Sequence, residues 1–149
     1  MLKLHVVASL FLVAISSISH ASGADAALTS LLETAESDCG ASFKLEDTAV
    51  TYLDLTEDGT NDIIVVDESG FSCPDNGASY YCGSGGCQVH FLAEADQVIG
   101  QAQSWEIMQT KHGKKVILLG LHGSACNEAG AVACFKAMSF SDGRFVYQK

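Results

Sequence analysis

Three aspartates in one short segment have the residue type and the spacing of a calcium-binding loop. Asp54, Asp58 and Asp62 stand at its first, fifth and ninth positions, and Gly59 at the sixth allows a sharp bend. Hard cations such as calcium need several oxygen ligands at short range, and a bent loop gathers carboxylates from alternate positions. Thr56 would add a hydroxyl oxygen and Thr60 a backbone carbonyl. The segment therefore predicts a Ca²⁺ site with five candidate ligands: Asp54, Thr56, Asp58, Thr60 and Asp62.

The same segment also fits a plain, solvent-exposed hairpin turn. Asp58-Gly59 lies between two runs with strand character, and Asp-Gly in that position favours a hairpin. Aspartate also favours turns because its side chain bonds its own backbone. An EF-hand is excluded, because Val65 occupies the twelfth position, where that motif needs a glutamate. Both the calcium loop and the plain turn remain open at this point.

The acidic segment resembles the Asp-rich loops of FG-GAP and VCBS-type repeats, D-x-[DN]-x-D-G-x-x-D, which bind calcium in β-propeller blades. The likeness extends through the β-branched run at 63–66, and Thr56 departs from the usual Asp or Asn at the third position. A single unit of this kind implies no propeller. The chain is also similar to an exported protein family of Gram-negative bacteria, through Cys-Gly-x-x-Gly-Cys at 82–87 and Gly-Ser-x-Cys at 123–126. That resemblance implies a compartment and a fold more than an activity.

A histidine and a serine close together in sequence are the nearest approach to a nucleophilic site. His122 and Ser124 could share a loop, with His90 as an alternative base and an acid from the aspartate segment. The surrounding residues do not form the G-x-S-x-G turn of serine hydrolases. A strand-end loop held by a disulfide at Cys126 explains the same residues without catalysis. We therefore assign no catalytic residue.

Three aromatic residues in a cysteine-rich stretch are the best candidates for contact with a partner. Residues 69–87 contain the only proline, several glycines and three cysteines, so a loop is predicted there. Aromatic side chains that disulfides hold rigid suit partner recognition. The candidate binding residues are Phe71, Tyr80 and Tyr81.

All six cysteines lie after residue 38, and an even number in a short exported chain predicts three disulfides. Zinc is the rival explanation, but no C-x-x-C or nearby histidine pair completes a tetrahedral set. Fifteen pairings are possible in principle. We favour Cys126–Cys134, which closes a short loop; the pairing of the other four cysteines stays open, with Cys82–Cys87 and Cys39–Cys73 as one possibility.

The first 21 residues predict a cleavable signal peptide. Lys3 precedes an apolar run at 4–18, and small residues end at Ala21, where a signal peptidase would cut. That run is too short to span a bilayer stably. Residues 22–149 would then form one exported domain, periplasmic or secreted, with no membrane span after cleavage.

The chain is strongly acidic, with a formal net charge of −10 at pH 7. The acids concentrate in the first half, where Lys44 is the single basic residue between positions 22 and 75. Such a surface disfavours nucleic acid and anionic membranes and favours cations or basic proteins.

Hydrophobic spacing predicts an α+β domain: an N-terminal helix with a disulfide-stapled antiparallel β-meander. The helix is predicted over 24–38, because apolar residues recur on one face and Cys39-Gly40 ends the pattern. About seven strands are predicted, over 48–55, 63–66, 88–93, 98–111, 115–121, 132–140 and 145–148.

Two classes of function are compatible with these features. The first is an exported, non-enzymatic binding module for a protein or glycan, and one variant of it inhibits a basic hydrolase. The second is a small secreted hydrolase that uses Ser124 and His122.

Overall fold

A single α-helix, α1 (Gly23–Cys39), begins the described part of the chain. The computed structural model describes residues 22–76 and 80–148, so the predicted signal peptide lies outside it. Ser22 caps the helix, since its hydroxyl accepts a hydrogen bond from the Asp25 amide at 3.2 Å. Gly40, with a φ of +69°, ends the helix as the sequence predicts. Within the described residues no helix is long and apolar enough to cross a membrane.

Eleven strands follow in the described residues, where the sequence predicts about seven. They are β1 (Lys44–Leu45), β2 (Val50–Leu53), β3 (Ile63–Asp67), β4 (Phe71–Ser72), β5 (Cys82–Gly83), β6 (Gly86–Ala93), β7 (Gln97–Ala102), β8 (Ser104–Gln109), β9 (Lys115–Leu121), β10 (Cys134–Ser141) and β11 (Arg144–Tyr147).

The difference in strand number has two physical causes. The strand predicted over 98–111 divides at Gln103 into β7 and β8, which belong to different sheets. In addition, β1, β4 and β5 have two residues each, too few to show a hydrophobic period. The predicted α+β class and the antiparallel pairing are confirmed.

The strands form two main sheets. The first, the helix-side sheet, has the order β2-β3-β6, and β5 and β7 also pair with β6. The second, the outer sheet, has the order β11-β10-β9-β8. A separate small pair joins β1 to β4.

The helix-side sheet is the middle layer of three. Side chains alternate along β3, so Ile64 and Val66 pack with α1 while Ile63 and Val65 pack against the outer sheet. The core between the sheets includes Phe91, Ile117 and Met138, all fully buried. Two hydrophobic cores therefore lie on opposite faces of the same sheet.

Three disulfides connect these layers and their loops, as the sequence predicts. Cys39–Cys73 ties the end of α1 to the residue after β4, and Cys82–Cys87 joins β5 to β6. Cys126–Cys134 closes the loop that precedes β10. No cysteine in the described residues is free.

Candidate ligand-binding groove

A groove lies beside α1 because the helix is narrower than the sheet it covers. Strands are spaced about 4.8 Å apart, whereas a helix with its side chains is about 10 Å wide. The helix lies over β3 and β6. Strand β7 pairs with the edge of β6 that faces away from β3, so the sheet continues past β6 on that side. The space between α1 and β7 is a groove of about 440 Å³.

One stripe of the helix forms the first wall of this groove. Its residues recur every three or four positions and so share one face of the helix. The floor of the groove consists of two cross-strand pairs of the β6–β7 hairpin, His90 with Ile99 and Leu92 with Gln97. The helix stripe comprises Ala27, Ser30, Leu31, Thr34, Ala35 and Asp38.

A histidine–glutamate pair lies at the bottom of the groove. The Nε2 atom of His90 donates a hydrogen bond to Oε1 of Glu68 at 2.8 Å. His90 is only 6% exposed, and it is the one buried polar side chain of the described residues. It points toward the helix because its neighbours on β6, Val89 and Phe91, point into the core between the sheets. The fold thus places a hydrogen-bonded ionisable pair on the wall of a cavity.

Tyr81 lines the groove near the C-terminus of α1. Its hydroxyl donates to the carbonyl of Ala35 at 3.2 Å, which bridges the cysteine-rich loop to the helix. Burial raises the pKa of the Tyr81 phenol, and the neighbouring Tyr80, Asp38 and Glu68 raise it further. The Tyr81 side chain therefore remains a neutral hydrogen-bond donor at physiological pH.

The predicted contact aromatics are brought together at this end of the groove. The ring of Tyr81 lies edge-on to Phe71 at 5.3 Å and to Tyr80 at 4.9 Å between centroids. Phe71 is buried and Tyr81 half-buried, whereas Tyr80 is 46% exposed. Of the three, Tyr80 and Tyr81 are thus the side chains that a partner could reach. The disulfides at Cys73 and Cys82 brace the cluster on both sides.

The aspartate loop is closed by its own backbone. The Asp54 carboxylate accepts amide hydrogens from Glu57 at 2.6 Å and Gly59 at 2.8 Å. The Asp62 carboxylate accepts the amides of Leu55 at 2.7 Å and Thr56 at 2.8 Å. Over the described residues, no three Asp, Glu, His or Cys side chains converge as a metal site would require.

Electrostatics in the loop favour the ionised form of Asp54. The amide of Gly59 lowers its pKa most; burial opposes this effect, and the amides of Glu57 and Asp58 and the charge of Lys115 support it. The Nζ atom of Lys115 also donates to the Asp54 carbonyl at 2.8 Å. Asp58 accepts the amide of Thr60 at 2.8 Å. The loop is therefore an acidic hairpin that is anchored to the start of β9.

His122 and Ser124 do meet, as a cap of a short helical turn. Their Nδ1 and Oγ atoms lie 2.8 Å apart, and both side chains sit in the loop after β9. The Asp54 loop contacts Lys115 at the other end of this strand, about 20 Å away at 3.3 Å per residue. His90 faces α1 on the other sheet. Hence neither the aspartate loop nor His90 completes a triad with this pair.

The groove itself was not predicted from the sequence. The sequence indicates His90 as a candidate residue. It gives no sign that Glu68, Asp38 and Gln97 lie near it, because these residues come from separate elements. One signal was available: Ser30, Thr34 and Asp38 recur at four-residue intervals beside the apolar helix stripe. Such a polar edge next to a buried stripe indicates the border of the helix–sheet contact.

Comparison of the chain with protein-family models, curated proteins and solved structures finds no match in any of the three. The resemblance to calcium-binding repeats and to exported Gram-negative proteins thus stays a prediction.

Proposed function

We propose that the protein is an exported, non-enzymatic binding module that holds its ligand or partner in the groove between α1 and β7. The observation that carries this proposal is the His90–Glu68 pair, buried at the bottom of a cavity of about 440 Å³. Ligand sites are typically concave, largely apolar cavities of roughly 300–1,000 Å³ with a few convergent polar groups. The groove agrees with that description in size and in composition.

Stability alone does not account for the pair. Removing charged or polar groups from water is costly, and an apolar pair of similar volume often packs at least as well. No described serine, threonine or cysteine side chain hydrogen-bonds to His90, although Ser30 and Thr34 line the same groove. These features favour binding over catalysis.

Three disulfides support an exported site of action, since such bonds persist in oxidising compartments. The excess of acids in the first half adds attraction for a basic partner, including a basic hydrolase. Tyr80 at the rim of the aromatic cluster would supply the exposed aromatic contact.

Filling the groove should abolish binding. Ser30 is exposed and lines the groove, so Ser30→Trp inserts a large side chain there with little cost to the fold. Ala26→Trp is the matched control, because Ala26 is exposed on the same helix but does not line the groove. The immobilised mature protein, residues 22–149, is incubated with envelope extract, and bound species are identified by mass spectrometry. We expect Ser30→Trp to lose them and Ala26→Trp to retain them; equal retention by both variants would contradict the proposal.

A weak calcium site in the aspartate loop is a second proposal. Several carboxylate oxygens there accept a single hydrogen bond, for example Oδ1 of Asp58 from Thr60, and each keeps a lone pair for a cation. The loop would have to close further around the ion, because its carboxylates do not converge as described. Extracellular modules often work with such weak sites.

Calcium should raise the melting temperature if this second proposal holds. A site with a dissociation constant near 1 mM gains about 1.4 kcal/mol at 10 mM calcium, or roughly 5 °C for a domain of this size. The measurement is a thermal melt with and without calcium, and Asp58→Asn should remove the rise. Magnesium at the same concentration controls for ionic strength. An unchanged melt of the unsubstituted protein would rule out the site.

A further inference from the structure

Two carboxylates line the groove, and His90, which bonds to one of them, is the single basic side chain of the described lining. Asp38 and Glu68 contribute carboxylates, and no lysine or arginine belongs to the described lining. The last turn of α1 contains no basic residue either. The partial negative charge at the C-terminal end of the helix adds to that of Asp38, although Tyr81 and Asn76 already donate hydrogen bonds to carbonyls of this turn. This end of the groove attracts a positive charge.

The rest of the lining is apolar or aromatic. Leu31 and Leu92 both line the groove, and Ile99 extends the floor along β7. Tyr81 lines the groove together with Asp38 and Glu68, and an aromatic ring attracts cations that lie over its face. A ligand with a charged head and a hydrocarbon body would satisfy both parts of the lining.

The size of the groove favours a small ligand. Its volume of about 440 Å³ lies within the range of small-molecule sites.

We propose that the groove binds a small organic cation, an amine with an apolar body, whose charge lies near Asp38 and Glu68 and whose hydrocarbon packs on Leu92 and Ile99. This inference rests on the proposed function, since it names the ligand chemistry of the same site. The Glu68 carboxylate, already held by His90, is fixed in place to receive the charged head.

A matched set of probes tests the charge requirement. Isothermal titration calorimetry on residues 22–149 compares 2-phenylethylammonium, 2-phenylethanol and 3-phenylpropanoate at pH 7, which differ mainly in charge. We expect the ammonium to bind about tenfold more tightly than the alcohol and the carboxylate to bind least, as electrostatic complementarity requires. Equal binding of all three would overturn the cation inference. The groove would remain the binding site if Ser30→Trp still abolished that binding.

A charge-neutralising variant locates the cation. Asp38 is exposed, so Asp38→Asn keeps the shape of the groove, and it should weaken ammonium binding about three- to fivefold. Glu36→Gln is the control, because Glu36 is exposed on the same helix and does not line the groove. Equal weakening by both variants would show a diffuse charge effect and overturn the assignment to Asp38.

Three further outcomes separate this inference from the proposed function. Ammonium binding that survives Ser30→Trp would overturn both, because the site would lie elsewhere. Binding of a lysine-containing peptide without binding of the free ammonium would overturn the small-molecule inference alone. The small-molecule inference would also be overturned if none of the probes bound while the Ser30→Trp variant still lost the species that the unsubstituted protein retains from envelope extract.

Discussion

Replacing both Cys39 and Cys73 by alanine should lower the free energy of unfolding by about 4 kcal/mol, according to the chain-entropy model of cross-links. The disulfide joins residues 34 positions apart, so its loss releases a long loop in the unfolded chain. For a domain of this size the melting temperature should fall by roughly 12–16 °C, which circular dichroism can follow.

The disulfide between Cys82 and Cys87 supplies the control. Its cysteines are 5 positions apart, so its removal should cost only about 2 kcal/mol by the same model. Equal losses for the two pairs would contradict an origin in loop entropy. Removal of the Cys39–Cys73 disulfide should also weaken binding in the proposed site, because this disulfide holds the end of α1 beside Tyr81 and Phe71.

Truncation of Phe91 to alanine should be the most damaging change in the core between the sheets, with a loss of about 3–5 kcal/mol. Its side chain is 0% exposed and lies edge-on to Trp105 and Phe145, each at 6.2 Å between ring centroids. The cavity left by the ring cannot be filled by water or by small shifts of two sheets. Urea denaturation measures the loss, and Trp105, the only tryptophan, reports the transition by fluorescence.

Phe135→Ala is the matched control, since it removes the same side chain from a strand of the outer sheet. Phe135 is 61% exposed, so we expect a change within about 0.5 kcal/mol. A loss as large as that of Phe91→Ala would mean that the outer face of this sheet is covered in solution.

Local signals in the sequence were sufficient for the helix and for the longer strands. The apolar spacing at Leu28, Leu31 and Ala35 reflects contact of one helix face with the sheet, and the Ser22 cap and Gly40 set its ends. The sequence of β3 shows no alternation of apolar and polar residues, because both faces of that strand are buried. Its β-branched run nonetheless predicted a strand.

Features that depend on distant pairing were not accessible. Strands β1 and β4 exist only because Lys44 and Leu45 meet Ser72 and Phe71. The break between β7 and β8 occurs where the Gln103 amide donates to the carbonyl of Gly120, as the chain passes from one sheet to the other. Nothing in the composition of 98–111 marks this point.

The candidate site shows the same division. The sequence singled out Tyr80 and Tyr81, and the structure places them together at one end of the groove. The groove itself requires α1 and β7 to lie side by side, although more than fifty residues separate them. The His90–Glu68 pair likewise joins a strand to a loop 22 residues earlier. Such juxtapositions follow from topology, which residue spacing does not encode.

Each disulfide joins a cysteine to the next one along the chain: 39 with 73, 82 with 87, and 126 with 134. For a chain that crosses a membrane N-terminus first, pairing in order of emergence gives the native connectivity directly. An oxidase that joins each cysteine, as it leaves the membrane, to the preceding unpaired cysteine forms only native disulfides. The reshuffling of mispaired thiols, which can take seconds to hours, is then not required. If the protein is exported as proposed, its maturation should depend on an oxidant and proceed without a disulfide isomerase.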